Sequence, residues 1–400
     1  MKLRPAGRWL GCGLVATGLA LLAACATQAL DAARSEFYAG RFEAANRTLD
    51  REIPTTDKVL FLMERGTIRL FMGDYTGSLK DLIDASDEAE RLETYSVGRG
   101  GASMVVNDNV QNYRGFPYER TLMHSFAATA HLGRGDFEGM AVESRRAIAT
   151  LTPDVRGDYP DCAYARYVAG FGLELIGDPS NAALQYREAD KLLSHVAIND
   201  QTGQLTPRDG TNEVQWSEAR PAAELVCFVM TGRAPRGDNV WRDDFHITGA
   251  GYVELYANGK LLGRSYALSD TTDLAFTTAQ KEATKKMIKT VARVAAKETI
   301  AYQIEQNNEL LGELARFVLI GLLERPDRRR WETLPRDLQV ARVPCPPDLR
   351  TFTAVYRTGE GLERRREEIT QPLQRRGNLY VSFCRDITRA APEGSTEPAK

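Results

Sequence analysis

Gly40-Arg41-Phe42-Glu43-Ala44-Ala45, Gly73-Asp74-Tyr75, Gly135-Asp136-Phe137 and Gly177-Asp178-Pro179 are the stretches on which the fold turns. Each interrupts a segment with apolar residues at helical spacing and is followed by a second helical segment carrying spaced alanines. Glycine ends the first helix tightly because it accepts the left-handed conformation. The ring after the polar residue is placed to fill the gap between paired helices. Ala44 and Ala45, Ala141 and Ala147, and Ala182 and Ala189 let the second helix approach its neighbour.

The first two glycines are 33 residues apart, close to the 34-residue tetratricopeptide period. The next interval, 62 residues, implies an insertion near 93–118, and the last, 42 residues, implies a longer loop near 152–161. Residues 25–193 therefore read as a tetratricopeptide-like α-solenoid, with an irregular helical bundle as the alternative.

Beyond Leu193 the pattern changes. Residues 196–222 are rich in Asn, Asp, Gly, Thr and Pro and read as a linker. Leu225–Met230 is an apolar run of strand length, and Tyr252–Ala257, Asn258-Gly259 and Lys260–Leu268 form a hairpin signature. Helices are expected over 277–305 and 308–323, the second a buried core helix with a lipid-surface helix as the alternative. Strand signals at 338–344, 351–357, 365–371 and 378–384 predict a small antiparallel meander over 338–387, followed by a disordered tail at 388–400. The expected fold class is α+β, mostly helical: solenoid, mixed region 194–337 and small C-terminal antiparallel sheet. Cys345 and Cys384 end the first and last strands of the meander and are a disulfide candidate if those strands are neighbours. Cys162 and Cys227 read as buried thiols.

At the other end, Lys2, Arg4 and Arg8 precede an apolar run from Trp9 to Ala24, the layout of a signal peptide over 1–24. Leu22-Ala23-Ala24-Cys25 resembles the lipobox of bacterial lipoproteins. That resemblance implies cleavage before Cys25, diacylglycerol on its thiol and an acylated amine. Ala26, where an inner-membrane retention signal has aspartate, implies sorting to the outer membrane, facing the periplasm.

Hydrophobic residues at 43% and charged residues at 26% exclude wholesale disorder and a polytopic membrane chain. A net charge of −2 argues against nucleic acid as a partner. That total conceals an arginine-rich end, because residues 324–389 hold 15 arginines, no lysine and 10 acids. Arg328–Arg330, Arg364–Arg366 and Arg375-Arg376 have the chemistry to grip carboxylates or phosphates. A solvated face balanced by Glu363, Glu367 and Glu368 is the preferred reading. The four histidines lack ligand spacing, so neither a metal nor any other cofactor is expected. Ser96–Ser103 is glycine-rich but lacks the ending of a phosphate-binding loop.

The insertion continues through Asn107-Asp108, Tyr113-Arg114-Gly115 and Tyr118-Glu119. With Asp327-Arg328-Arg329-Arg330-Trp331-Glu332-Thr333-Leu334-Pro335 downstream, it resembles an uncharacterised bacterial outer-membrane lipoprotein family with a tetratricopeptide-like N-terminal half. The resemblance implies an envelope location and no particular activity. Asn107, Asp108, Tyr113, Tyr118 and Glu119 are candidate partner-binding residues. The function expected is a lipid-anchored scaffold that binds a periplasmic or outer-membrane protein through a concave helical face, with peptidoglycan as a further partner. The alternative is a wall-acting enzyme using acids such as Asp108 and Glu119.

Overall fold

The computed structural model describes residues 27–50, 55–98, 112–208, 221–236, 251–284 and 328–390. Cys25, Asn107, Asp108 and the expected helix 308–323 lie outside the described residues, as does the expected helix 277–305 beyond residue 284.

Among the described residues nine α-helices precede the first strand: α1 (27–38), α2 (Phe42–Leu49), α3 (Lys58–Met72), α4 (Tyr75–Gly98), α5 (Pro117–Gly133), α6 (Phe137–Thr150), the single turn α7 (Pro153–Arg156), α8 (Ala163–Leu175) and α9 (Pro179–Asp190). They pack as consecutive antiparallel pairs, with α1, α3, α5 and α8 as the first members. The four turn glycines all have positive φ, between 70° and 93°. Each lets its helix stop with the chain already turned back. The aspartate that follows caps the next helix: Asp74, Asp136 and Asp178 accept from the N–H of Gly77, Gly139 and Asn181. Gly40 has a second duty, since its carbonyl accepts from Ala390 N–H (3.0 Å) and a Cβ there would meet the Thr388 carbonyl.

The β half departs from the expected meander. A short hairpin, β1 (Val196–Ile198) with β2 (Leu205–Pro207), stands where a linker was expected. The remaining strands are β3 (Glu224–Thr231), β4 (Tyr252–Ala257), β5 (Lys260–Arg264), β6 (Tyr266–Asp270), β7 (Asp337–Pro344), β8 (Phe352–Arg357), β9 (Glu363–Ile369), β10 (Gln374–Arg376) and β11 (Leu379–Arg385). They form a five-stranded sheet in the order β10-β11-β3-β7-β6 and a four-stranded sheet in the order β5-β4-β8-β9. The β11–β3 pair is parallel, and the other pairs are antiparallel. The C-terminal strands are thus divided between two sheets, and β3 from the middle of the chain is the central strand of one of them. The middle and C-terminal regions are one β unit.

The result is three layers. Leu225, Cys227 and Val229 of β3 face the four-stranded sheet, where they meet Val253, Leu255, Phe352 and Tyr356. Val226, Phe228 and Met230 face the helices. Ring pairs join that second interface: Phe228 with Tyr164 and Phe171 of α8, and Phe383 with Phe71 of α3 and Tyr75 of α4. All eight residues of β3 are buried, which explains its unbroken apolar run. One side of the sandwich is closed by Ser265, the only residue between β5 and β6, where the chain passes from one sheet to the other. Its hydroxyl donates to Gln339 Oε1 (2.6 Å) and accepts from Val253 N–H (2.9 Å). A further helix begins at 271 and is described to residue 284, with Leu274 and Ala275 in the helical core.

The cysteine pairing is corrected by this topology. Strand β3 lies between β7 and β11, so the strands that carry Cys345 and Cys384 are not neighbours. Cys384 is level with Val229, whereas Cys345 N–H bonds the Ala223 carbonyl, six residues back along β3. At about 3.3 Å per residue the two stand roughly 20 Å apart along the strand, and a disulfide needs Cα atoms within about 7 Å. Cys162, Cys227, Cys345 and Cys384 are free thiols. The near neighbour of Cys384 is Cys227, with sulfurs 3.9 Å apart.

Candidate functional site

Residues 328–336 lead into β7, and they run through the groove lined by α1, α3 and α5. Their main chain is held by helix side chains. Glu64 of α3 accepts from the N–H of Glu332 (2.9 Å) and Thr333 (3.1 Å). Arg34 of α1 donates to Glu64 (2.6 and 2.8 Å) and to the Arg330 carbonyl (2.7 Å). The Tyr38 hydroxyl donates to the carbonyls of Glu332 (2.6 Å) and Leu334 (3.2 Å). Trp331, 1% exposed, packs on Phe126, and its indole N–H donates to the hydroxyls of Thr67 and Thr333. The side chains on either side of the anchor are engaged as well: Arg329 bonds Asp57 (2.8 Å) and lies over Tyr113, and Arg330 lies over Phe116.

Tyr113, Tyr118 and Glu119 meet this same segment. Glu119 is the third residue of α5, from which its carboxylate reaches back to Phe116 N–H (2.8 Å) in a capping arrangement. It also accepts from the Tyr113 hydroxyl (2.5 Å), the Tyr118 hydroxyl (3.4 Å) and Trp331 N–H (2.9 Å). The two stretches that carry the family resemblance, more than 200 residues apart, are therefore one hydrogen-bonded unit. Tyr113, Tyr118 and Glu119 are buried against the chain's own residues 329–331.

Electrostatics follow from this enclosure. Burial raises the Glu119 carboxyl above its ordinary range, with Trp331 N–H and the Tyr113 hydroxyl opposing the rise. Burial pushes the Tyr38 phenol up to about 12. For Arg34, burial favours loss of the proton, but the carboxylates of Glu64, Glu332 and Asp31 together outweigh it and the guanidinium stays charged. Nε and Nη1 of Arg330 and of Arg385 are buried without a hydrogen-bond partner among the described residues. Both guanidiniums face rings instead, Arg330 over Phe116 and Arg385 near Phe37, Tyr38 and Phe71.

A second polar cluster lies among α4, α5 and α6. His124 Nδ1 is 2.8 Å from Glu143, and its Nε2 is 3.4 Å from the Ser86 hydroxyl. Arg146 donates to the other Glu143 oxygen (3.0 Å). The order is that of a nucleophile relay, but Ser86 sits in the middle of α4, where backbone N–H groups are engaged within the helix. These bonds tie three helices together. His131 similarly bonds Asp136 at the turn into α6 (2.8 Å). Among the described residues no group of three His, Cys, Asp or Glu is placed to hold a metal.

The arginine runs are largely neutralised. Arg364 pairs with Asp386, Arg365 with Glu367, and Arg366 with Glu363. Reading the sequence missed Glu64, Arg34 and the pocket of Trp331. The available signal was a lone tryptophan inside an arginine run, which hydrophobic periodicity does not detect. No family model matches the chain, and no curated protein or solved structure matches it either.

Proposed function

We propose that this protein is a scaffold of the bacterial cell envelope, anchored in the outer membrane by lipid on Cys25, with its helical half a tetratricopeptide-like array facing the periplasm. The observation that carries this reading is Leu22-Ala23-Ala24-Cys25 behind a basic, apolar leader, followed almost at once by paired helices. The chain's own 328–336 fills the groove that such arrays commonly offer to peptides. Partner proteins therefore engage the outward helices, where Val142 of α6 and Leu184 of α9 are 47% and 45% exposed. The Glu119 carboxylate, enclosed by four donors of its own chain, has no lone pair directed at a substrate.

Photo-crosslinking in cells from positions 142 and 184 tests the reading. The expected result is one defined envelope protein captured at these positions and not from position 67 in the groove. No captured partner, together with turnover of wall fragments by the purified protein, would replace the scaffold reading with the enzymatic one. Separately, Cys25→Ser is expected to leave unacylated precursor.

A further inference from the structure

The anchor and the folded body leave almost no chain between them. Only Ala26 stands between Cys25 and residue 27, where α1 is already helical. Leu30, Ala33 and Phe37 bury that helix in the core, and Arg34 locks it to Glu64. Two residues of extended chain reach about 7 Å. Helix α3, with 15 residues, is about 22 Å long. A body of this size on so short a tether has one end next to whatever holds Cys25.

Contacts identify that end. Arg34 meets Glu64 and Phe37 meets Phe71, so α1 and α3 run parallel and the start of α1 is level with Asp57 and Lys58. Tyr113 N–H and Arg329 both donate to the Thr56 carbonyl, which brings 112–116 and 328–330 to the same end. It presents the exposed Arg328, with Arg114 and Lys58 (3.4 Å from Glu88) half-exposed around the half-buried Phe116, while Tyr113 and the Arg330 guanidinium are buried beneath and Asp57 is paired with Arg329. Arginine and lysine side chains on long apolar stems suit the headgroup layer of a bilayer, where they donate to phosphate oxygens while their stems lie along the apolar boundary. We infer that this end of the helical array is seated on the headgroups of the membrane that holds Cys25, and that the layers stand away from it at a fixed orientation. The inference rests on the proposed lipidation of Cys25.

The test uses the full chain, processed in cells and reconstituted into vesicles of phosphatidylethanolamine and phosphatidylglycerol that carry a headgroup-attached spin-label quencher. A fluorophore is placed at Arg328→Cys or, at the opposite end of the helices, at Glu138→Cys, in a Cys345→Ser background. Seating predicts quenching at 328 at least about twofold stronger than at 138, because α5 alone separates the two ends by about 25 Å. A Gly/Ser spacer of about 20 residues between Ala26 and Thr27, with a reach of roughly 25 Å, is expected to reduce that ratio toward one. Equal quenching at both sites without the spacer, in protein whose intact mass includes the acyl chains, overturns the seating alone. An intact mass without acyl chains overturns the anchor reading on which it depends.

Discussion

On one face of the five-stranded sheet, Val226, Phe228 and Met230 meet helices whose groove is threaded by the chain's own 328–336. On the other, Leu225, Cys227 and Val229 meet a second sheet. The sheet-to-sheet interior is mostly apolar side chains and thiols, with a polar crossing at Ser265 and Gln339, and its apolar positions tolerate sets of similar volume. The groove beside the helices is held by buried charge: Glu64 and Glu119 read three successive backbone N–H groups, while Arg34 and Tyr38 read the carbonyls between them. Such groups are costly to bury and favourable only when fully matched. The difference teaches that sheet packing supplies bulk stability, whereas the groove specifies one path for one segment.

Trp331→Ala is the strongest way to break this contrast. It removes a fully buried ring and leaves the hydroxyls of Thr67 and Thr333 without their indole donor, for an expected loss of about 3–5 kcal/mol in urea unfolding. Glu64→Ala leaves two backbone N–H groups without their acceptor and takes from Arg34 its shortest ion pair, leaving it Asp31, Glu332 and the Arg330 carbonyl, and is expected to cost about 3 kcal/mol. Leu255→Ala, in the sheet-to-sheet interior, is expected to cost about 2–4 kcal/mol, and Leu255→Met under about 1.5. Similar tolerance of Glu64→Gln and Leu255→Met would dissolve the distinction between the two interiors.

A smaller effect belongs to the turns. The Asp136 carboxyl is held below its ordinary value of 3.8 by Gly139 N–H and, to a lesser degree, by His131. A depressed carboxyl stabilises the fold above its unfolded pKa, and the contribution disappears as pH falls through the lower folded value. Because this carboxylate is 40% exposed, Asp136→Ala is expected to cost only about 0.5–1 kcal/mol at pH 7. The gap from the parent protein should narrow as pH falls through that lowered value.

The smallest perturbation reads the thiols. Burial pushes the Cys345 thiol up to about 11, so native alkylation there should be slow at neutral pH and accelerate as pH rises. Cys162, Cys227 and Cys384, all buried, should react only after denaturation. Recovery of Cys345 and Cys384 only after a reductant would contradict the separation of their strands.

Much of the fold was legible because its signals are local. Glycine at 40, 73, 135 and 177 marked each helical turn, and the strand limits near 338–344, 351–357 and 378–384 followed from apolar runs between breakers. What could not be read was pairing over distance. Residues 224–231 bond to 337–344 and to 379–385, and no feature of the intervening hundred residues states that register. The meander and the Cys345–Cys384 pair failed for this one reason. The site was half legible: Tyr113, Tyr118, Glu119 and the Arg-Arg-Arg-Trp run were each singled out, but not that they bind each other. A buried carboxylate reading backbone N–H groups leaves no periodic trace, because its partner is main chain and any sequence supplies that.

Hydrogen exchange over 328–336 tests the central claim most directly. With the groove occupied by its own chain, the amides of Trp331, Glu332 and Thr333 should exchange as slowly as those of β3, and Glu64→Ala should release the last two. Exchange of all three at the rate of an exposed loop in the parent protein would show that the groove is empty and open to a partner.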